Sequence, residues 1–197
     1  SWPSKDSVLD YVADGDQAQR ASTYLNEFLH LVLAQEDLDE VHVIAHSMGN
    51  RVLTGAFQQL SVSGSITNVN RISQIVLVAP DIDTDIFKTQ LAPRVAEMGR
   101  QRTLYASKHD VALLLSKRLN GGYPRAGDLS ETITIVGGID TIDASEMDTS
   151  LVGHSYYADN RSVIGDLFQV VRNAKPFNRF GLLPMEIKGQ SYWKFVP

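Results

Sequence analysis

The stretch Val41-His42-Val43-Ile44-Ala45-His46-Ser47-Met48-Gly49-Asn50-Arg51-Val52-Leu53 limits what this chain can fold into more than any other. Its first part is a short β-branched and apolar run that reads as a buried strand, and after Gly49 the apolar residues return at helical spacing. Only a tight turn fits between the two. Such a turn puts Ser47 at the C-terminal edge of a sheet, with its hydroxyl projecting and helix amides behind it. Ala45-His46-Ser47-Met48-Gly49 matches the strand-to-helix elbow that presents a nucleophilic serine, with Ala in place of the first Gly. Positions two before and two after the serine must be small where strand and helix cross closely, and Ala is the mildest departure from Gly.

The rest of the chain alternates in the same way. Residues 1–14 read as a loop with one short apolar turn. A long helix is expected from Asp16, with Ala18, Ala21, Tyr24, Leu25, Phe28, Leu29, Val32 and Leu33 at spacings of three and four. Strands are expected at 40–45, 72–79, 102–106 and 132–136, the second so rich in Ile, Val and Leu that it must be covered on both faces, as in a parallel sheet. Helices are expected at 50–60, from Asp83 through Met98 with a kink or late start at Pro93, at 111–119 and at 160–171. Residues 119–128 read as a Gly-rich surface loop, 139–155 as a polar loop, and 173–197 as irregular cover over a core spanning 1–172. Strands alternating with helices give an α/β fold in a single domain. Four strands are few for this many helices, so the sheet is expected to be N-terminally incomplete.

Composition removes several classes of function. The chain has 197 residues, 43% hydrophobic and 21% charged, and its 18 basic against 23 acidic residues leave a formal charge of -5 with no basic cluster. Nucleic acid is therefore not an expected partner. Cysteine is absent, which excludes disulfides, thiolate chemistry and Cys-based metal sites, and fits a reducing, cytoplasmic compartment. No apolar run is long enough to cross a bilayer. The acidic loop residues lack EF-hand spacing and no His pair has zincin spacing, so no metal or other cofactor is expected. Ser1-Trp2-Pro3-Ser4 is not an initiation sequence, and the chain is expected to be part of a longer protein.

A serine nucleophile needs a general base and an acid to orient it. In an open α/β sheet both must lie beyond the carboxyl ends of the strands. His30 sits on the first helix and His42 within a strand, so both read as structural or surface residues; His46 adjoins the serine but diverges from it. His109 and His154 follow strands on the correct edge. His154 comes late enough to complete the order nucleophile, acid, base, and is the favoured base, with His109 the alternative. Asp110 follows the third strand and is the favoured acid, though it is equally placed to cap the helix at 111–119. Asp81, just beyond the second strand, is the competitor. Asp83, Asp85, Asp140, Asp143 and Asp148 read as caps or solvent-facing residues. The backbone N–H of Met48 is expected to donate to the oxyanion, and a second donor should come from a loop after an earlier strand.

With these residues assembled, the chain resembles the bacterial alpha/beta hydrolases of unknown function grouped as DUF900, which are esterase- and lipase-like. The resemblance rests on Ser1-Trp2-Pro3-Ser4, Ala45-His46-Ser47-Met48-Gly49-Asn50-Arg51, Ala79-Pro80-Asp81-Ile82-Asp83, Tyr105-Ala106-Ser107-Lys108-His109-Asp110-Val111-Ala112-Leu113 and Gly153-His154-Ser155-Tyr156. These blocks occur in order and span roughly residues 1–172. The resemblance implies an alpha/beta-hydrolase three-layer sandwich, a triad of Ser47, Asp110 and His154, and a supporting position for Asp81. It also implies that the second oxyanion donor belongs to a His-Gly-Phe-Asn-like segment upstream of residue 1.

The expected activity is cleavage of small-molecule carboxylic esters through an acyl-enzyme. Loss of one oxyanion donor costs about 3 kcal/mol of transition-state stabilisation, so this chain is expected to hydrolyse esters poorly or not at all while the longer parent is active. A noncatalytic binding domain of the same fold and an acyltransferase using the same triad are the alternatives. An exposed sheet edge is expected to favour self-association.

Overall fold

The computed structural model describes residues 11–63, 68–147 and 160–196. Helix α1 (Tyr11–Leu33) leads into strand β1 (Val41–His46) and helix α2 (Gly49–Ser63), and strand β2 (Ile72–Val78) follows. Next come a short helix α3 (Thr84–Ile86), a π turn (Phe87–Leu91) and helix α4 (Ala92–Glu97), then strand β3 (Gln101–Ala106), helix α5 (Val111–Leu119) and strand β4 (Asp140–Asp143). Helix α6 (Arg161–Val171) and strands β5 (Leu182–Ile187) and β6 (Gln190–Phe195) end the described chain. The strands form one sheet in the order β1-β2-β3-β4-β6-β5, parallel except for β5, which runs antiparallel to β6.

The sheet separates two apolar layers, because side chains alternate between the faces of a strand. Ile75, Leu77, Leu104 and Ala106 face the helices that supply Leu29, Leu33, Leu53, Phe57 and Val95. Val76, Val78, Tyr105 and Ile142 face Leu113, Val163 and Val170. β2 is buried along its whole length, which is why its sequence is a continuous apolar run in its second half. Each fully buried side chain such as Phe57 contributes about 1.5–3 kcal/mol of burial free energy. α1 and α2 pack tightly at Ser22 and Gly55, where a Cβ on the glycine would stand 2.6 Å from Ser22 Oγ. Ser22 Oγ in turn donates to the Ala18 carbonyl at 3.1 Å.

Several expectations are corrected. α1 opens at Tyr11 rather than Asp16, and Tyr24 and Phe28 of its apolar stripe are exposed, not inward. At Pro93 the expected late start is what the structure has: the proline lies in the first turn of α4, and the turn before it widens to a π turn closed by Ala92 N–H to the Phe87 carbonyl. Proline has no N–H to give the carbonyl four residues back and its ring crowds it, so a wider turn relieves the clash. The fourth strand is not at 132–136. It is Asp140–Asp143, paired with β3 from Thr103↔Asp140 to Ala106↔Asp143. Both stretches have β-branched residues, and only the pairing with β3 chooses between them. Asp140 and Asp143 are therefore strand residues, not loop residues.

The C-terminal segment is not irregular. β5 and β6 form a hairpin through Lys188 and Gly189, at φ 51 and 75, the paired positive values of a two-residue turn that matches strand twist. Ahead of the hairpin, Arg179 is buried against α6, its Nε 3.3 Å from Asp166 Oδ1, an ion pair outside hydrogen-bond geometry. Tyr105 donates its hydroxyl to Asp166 Oδ2 at 2.5 Å. Burial pushes the Asp166 carboxyl above the usual range, opposed by the Arg179 charge and the Tyr105 hydroxyl. Asp140 is raised for the same first reason, against the charges of Arg179 and Lys175.

Candidate active site at the C-terminal edge of the sheet

Strand register levels the functional edge. His46, Val78 and Tyr105 stand in one row across β1, β2 and β3, so the residues that follow them emerge side by side. Ser47 follows β1, Asp81 lies just past β2, and Asp110 lies just past β3. The sequence-expected residues Ser47, Met48, Asp81 and Asp110 thus share one edge. His154 falls outside the described residues. His109 is exposed on the same edge, its backbone N–H donating to Ser107 Oγ at 3.1 Å. His42 lies within β1 with its Nε2 3.7 Å from Glu40 Oε2, and His30 is in the last turn of α1.

Ser47 has φ 51, a left-handed conformation that is uncommon for a residue with a side chain. Such a position costs on the order of 1–3 kcal/mol and persists only where its surroundings hold it. Here the restraints are specific. The Ser47 N–H donates to the Val78 carbonyl at 3.0 Å, extending the parallel ladder by one residue. The Ser47 carbonyl accepts from the Asn50 N–H at 3.1 Å, from Asn50 Nδ2 at 3.1 Å and from the Asp81 N–H at 3.3 Å. Ala45 and Met48 are buried beneath the turn, and Ser47 itself is half-buried. The elbow expected from the sequence therefore exists, with α2 starting two residues after the serine.

Asp81 is 2% exposed and its carboxylate is engaged. Oδ1 accepts from Arg125 Nε at 2.8 Å and from Ser116 Oγ at 2.6 Å, with Arg51 Nη2 at 3.7 Å. Its carbonyl accepts from Arg125 Nη2 at 3.0 Å and Arg51 Nε at 2.6 Å. Arg125 comes from the segment read as a surface loop. Residues 119–123 of that loop are largely open, but Arg125, Ala126 and Asp128 are buried. The loop is stitched to the edge by Gly127 N–H to the Pro80 carbonyl, Ala126 N–H to Ile82, and Ser107 N–H to Gly127. Sequence reasoning missed Arg125 because nothing local distinguishes a buried arginine in a Gly-rich loop from a solvated one.

Asp110 is 1% exposed and caps α5, its Oδ1 accepting from the Leu113 N–H at 3.0 Å. A buried carboxylate at this edge is the kind of group that can orient an imidazole and stabilise its charged form. Two grooves flank the elbow. One of about 970 Å³ lies between α1 and the outer side of β1, walled by Tyr24, Phe28 and Ile44 and reaching His46 and Gly49. The other, of about 930 Å³, is more polar and includes Arg51, Gln58, Tyr123 and Arg125. Among the described residues no helix is long and apolar enough to cross a membrane.

Comparison with known proteins agrees with this architecture. No curated protein and no solved structure matches the chain. A family model described as alpha/beta hydrolase of unknown function (DUF900) matches residues 1–173, which takes in β1 to β4, the elbow and α6 but not the hairpin. With that match over most of its length, and a mostly parallel six-stranded sheet between helical layers, the chain belongs to the DUF900 family of alpha/beta hydrolases.

Proposed function

We propose that this protein is a serine hydrolase of carboxylic esters, with Ser47 as nucleophile, His154 as general base and Asp110 as the acid that orients it. The observation that carries the proposal is the left-handed Ser47 at the turn between β1 and α2, a strained conformation kept at the edge where an α/β sheet binds its ligands. In the reaction, His154 takes the Ser47 proton as Oγ bonds to the ester carbonyl carbon. The tetrahedral oxyanion is met by the Met48 N–H. Collapse expels the alcohol, which receives the proton from His154, and leaves an acyl-Ser47 ester. Water, deprotonated by His154, then releases the acid and regenerates the serine.

In this reading Asp81, whose Oδ1 accepts from Arg125 and Ser116, has a supporting role. Labelling with a fluorophosphonate tests the reading: adduct on Ser47, lost in Ser47→Ala and strongly slowed in His154→Ala, is expected. A protein that takes no label and releases no p-nitrophenol from p-nitrophenyl acetate would instead be a noncatalytic binding domain. Release of the acyl group to an added alcohol rather than to water, read by product analysis, would make it an acyltransferase.

The outer edge of β1 supports a second element of the proposal. β1 is the terminal strand of the described sheet and Ile44 is 47% exposed beside the Tyr24 and Phe28 groove. Unpaired backbone and apolar side chains on one edge favour pairing with a second copy of the chain.

A further inference from the structure

We infer that Asn50 is a positioning residue for the oxyanion site: its side-chain amide holds the Ser47–Met48 peptide so that the Met48 N–H faces the reacting carbonyl. The inference rests on Ser47 being the nucleophile. Asn50 is fully buried in the first turn of α2, and its Nδ2 reaches two carbonyls at once, Ser47 at 3.1 Å and Val78 at 3.0 Å. Val78 ends β2 and Ser47 follows β1, so one amide ties the ends of both strands to the start of the helix. The same two carbonyls decide which end of the amide is nitrogen, because an oxygen there would face two acceptors.

The consequence follows from peptide geometry. In a planar trans peptide the carbonyl of one residue and the N–H of the next point in opposite directions. The Ser47 carbonyl is held from behind by Asn50 Nδ2, the Asn50 N–H and the Asp81 N–H. The Met48 N–H is thereby turned to the opposite side, and it makes no hydrogen bond among the described residues. An oxyanion donor needs this: it must be aimed before charge develops and must not be spent on another acceptor.

Asn50 also carries a cost that packing alone does not explain. Its Oδ1 is buried without a hydrogen-bond partner. A buried orphan acceptor is unfavourable, and an apolar side chain of similar size would avoid it. What the apolar side chain would lose is the donor that bridges Ser47 and Val78.

The test compares the wild-type chain with Asn50→Ala and Asn50→Asp. Hydrolysis of p-nitrophenyl acetate is expected to lose roughly 10- to 100-fold in kcat with KM little changed, since one oxyanion donor is misaimed rather than removed. The affinity for a trifluoromethyl ketone, whose hemiketal oxyanion reads the Met48 N–H, should fall by the same factor. A kcat and a trifluoromethyl ketone affinity within twofold of wild type overturn the inference. The three-bond coupling between the Ser47 amide and α protons provides a readout independent of activity: it should move as φ leaves its positive value in either variant, and an unchanged coupling overturns the bracket. If neither variant folds, the wild-type Met48 amide proton decides, expected to shift downfield on adding the ketone and overturning the inference if it stays still. Absence of fluorophosphonate adduct on wild-type Ser47 would defeat the hydrolase reading separately, leaving the Ser47 coupling to judge the bracket alone.

Discussion

Gly127 lies against Ala79 with no room for a side chain: a Cβ at position 127 would stand 2.6 Å from the Ala79 carbonyl carbon and 2.7 Å from its Cα. Ala79 is itself at φ 44, just past β2, so the contact joins a left-handed turn to a buried loop. Both obstructing atoms are backbone and cannot rotate away. Gly127→Ala should therefore cost about 3 kcal/mol, the upper range for overpacking. Gly55→Ala meets mainly Ser22 Oγ, which can turn, and gains helix propensity, so a loss of about 1 kcal/mol is expected. Urea unfolding of the two variants checks the order; equal losses would contradict it.

Arg125→Met should destabilise the fold and disturb the elbow together. The substitution leaves the Asp81 carboxylate, 2% exposed, without its nearest guanidinium. Breaking a buried pair in this way costs about 3–5 kcal/mol. Asp81→Asn in the same background should recover part of that loss, because the uncompensated charge is gone. A single Arg125→Met variant with wild-type stability would show that Arg51 and Ser116 suffice.

Asp110 has two roles that substitutions can separate. As the N-cap of α5 it accepts from Leu113, and Asp110→Ala should lose about 1 kcal/mol of stability. Asp110→Asn keeps a capping oxygen and should be nearly as stable as wild type. Under the proposed triad both should lower kcat, with Asn costing on the order of 10⁴-fold, as in a serine triad whose acid becomes an amide. Full activity in Asp110→Asn would transfer the acid's role to another group, Asp81 first.

Asp166 sets a pH dependence of stability. Burial raises its folded-state pKa, so between the unfolded value of about 3.9 and that raised value the folded protein holds more protons than the unfolded chain. Its stabilising contribution is complete below the unfolded value and is lost as pH rises through the folded one. Asp166→Asn should flatten this part of the stability profile, with Asp140, raised by the same cause, keeping some slope. Urea midpoints between pH 4 and 7 measure this slope in the wild type and its loss in the variant.

Ile44→Lys should abolish association through β1. A lysine on an exposed edge is an established means of blocking strand pairing. Sedimentation is expected to show wild type self-associating and the variant as a monomer; a monomeric wild type would remove the proposal.

How much of this was legible beforehand depended on the range of the interactions involved. The elbow was readable because strand, turn and helix are contiguous and each has a local signature: β-branched residues before Ala45, small residues at Ala45 and Gly49, helical spacing after Asn50. The same holds for β2, for the Asp83 cap, which accepts from Asp85 and Ile86 N–H, and for α5. That Ser47, Asp81 and Asp110 lie beyond strand ends at one edge followed from strand alternation, whereas their order across it was fixed by strand pairing.

What tertiary structure decided was every choice between locally equivalent segments. Residues 132–136 and Asp140–Asp143 are both plausible strands, and only the edge offered by β3 selected the second. The hairpin of β5 and β6 is turned by Lys188 and Gly189, a weaker signal than Asn-Gly, and is secured by a parallel pairing to β4 and by the burial of Arg179. Arg125 and Asn50 gained their places from partners far along the chain, Asp81 and Val78. Local sequence thus determined where a strained serine could be displayed. Long-range hydrogen bonds and buried charge, whose partners no window of sequence contains, decided how it is held.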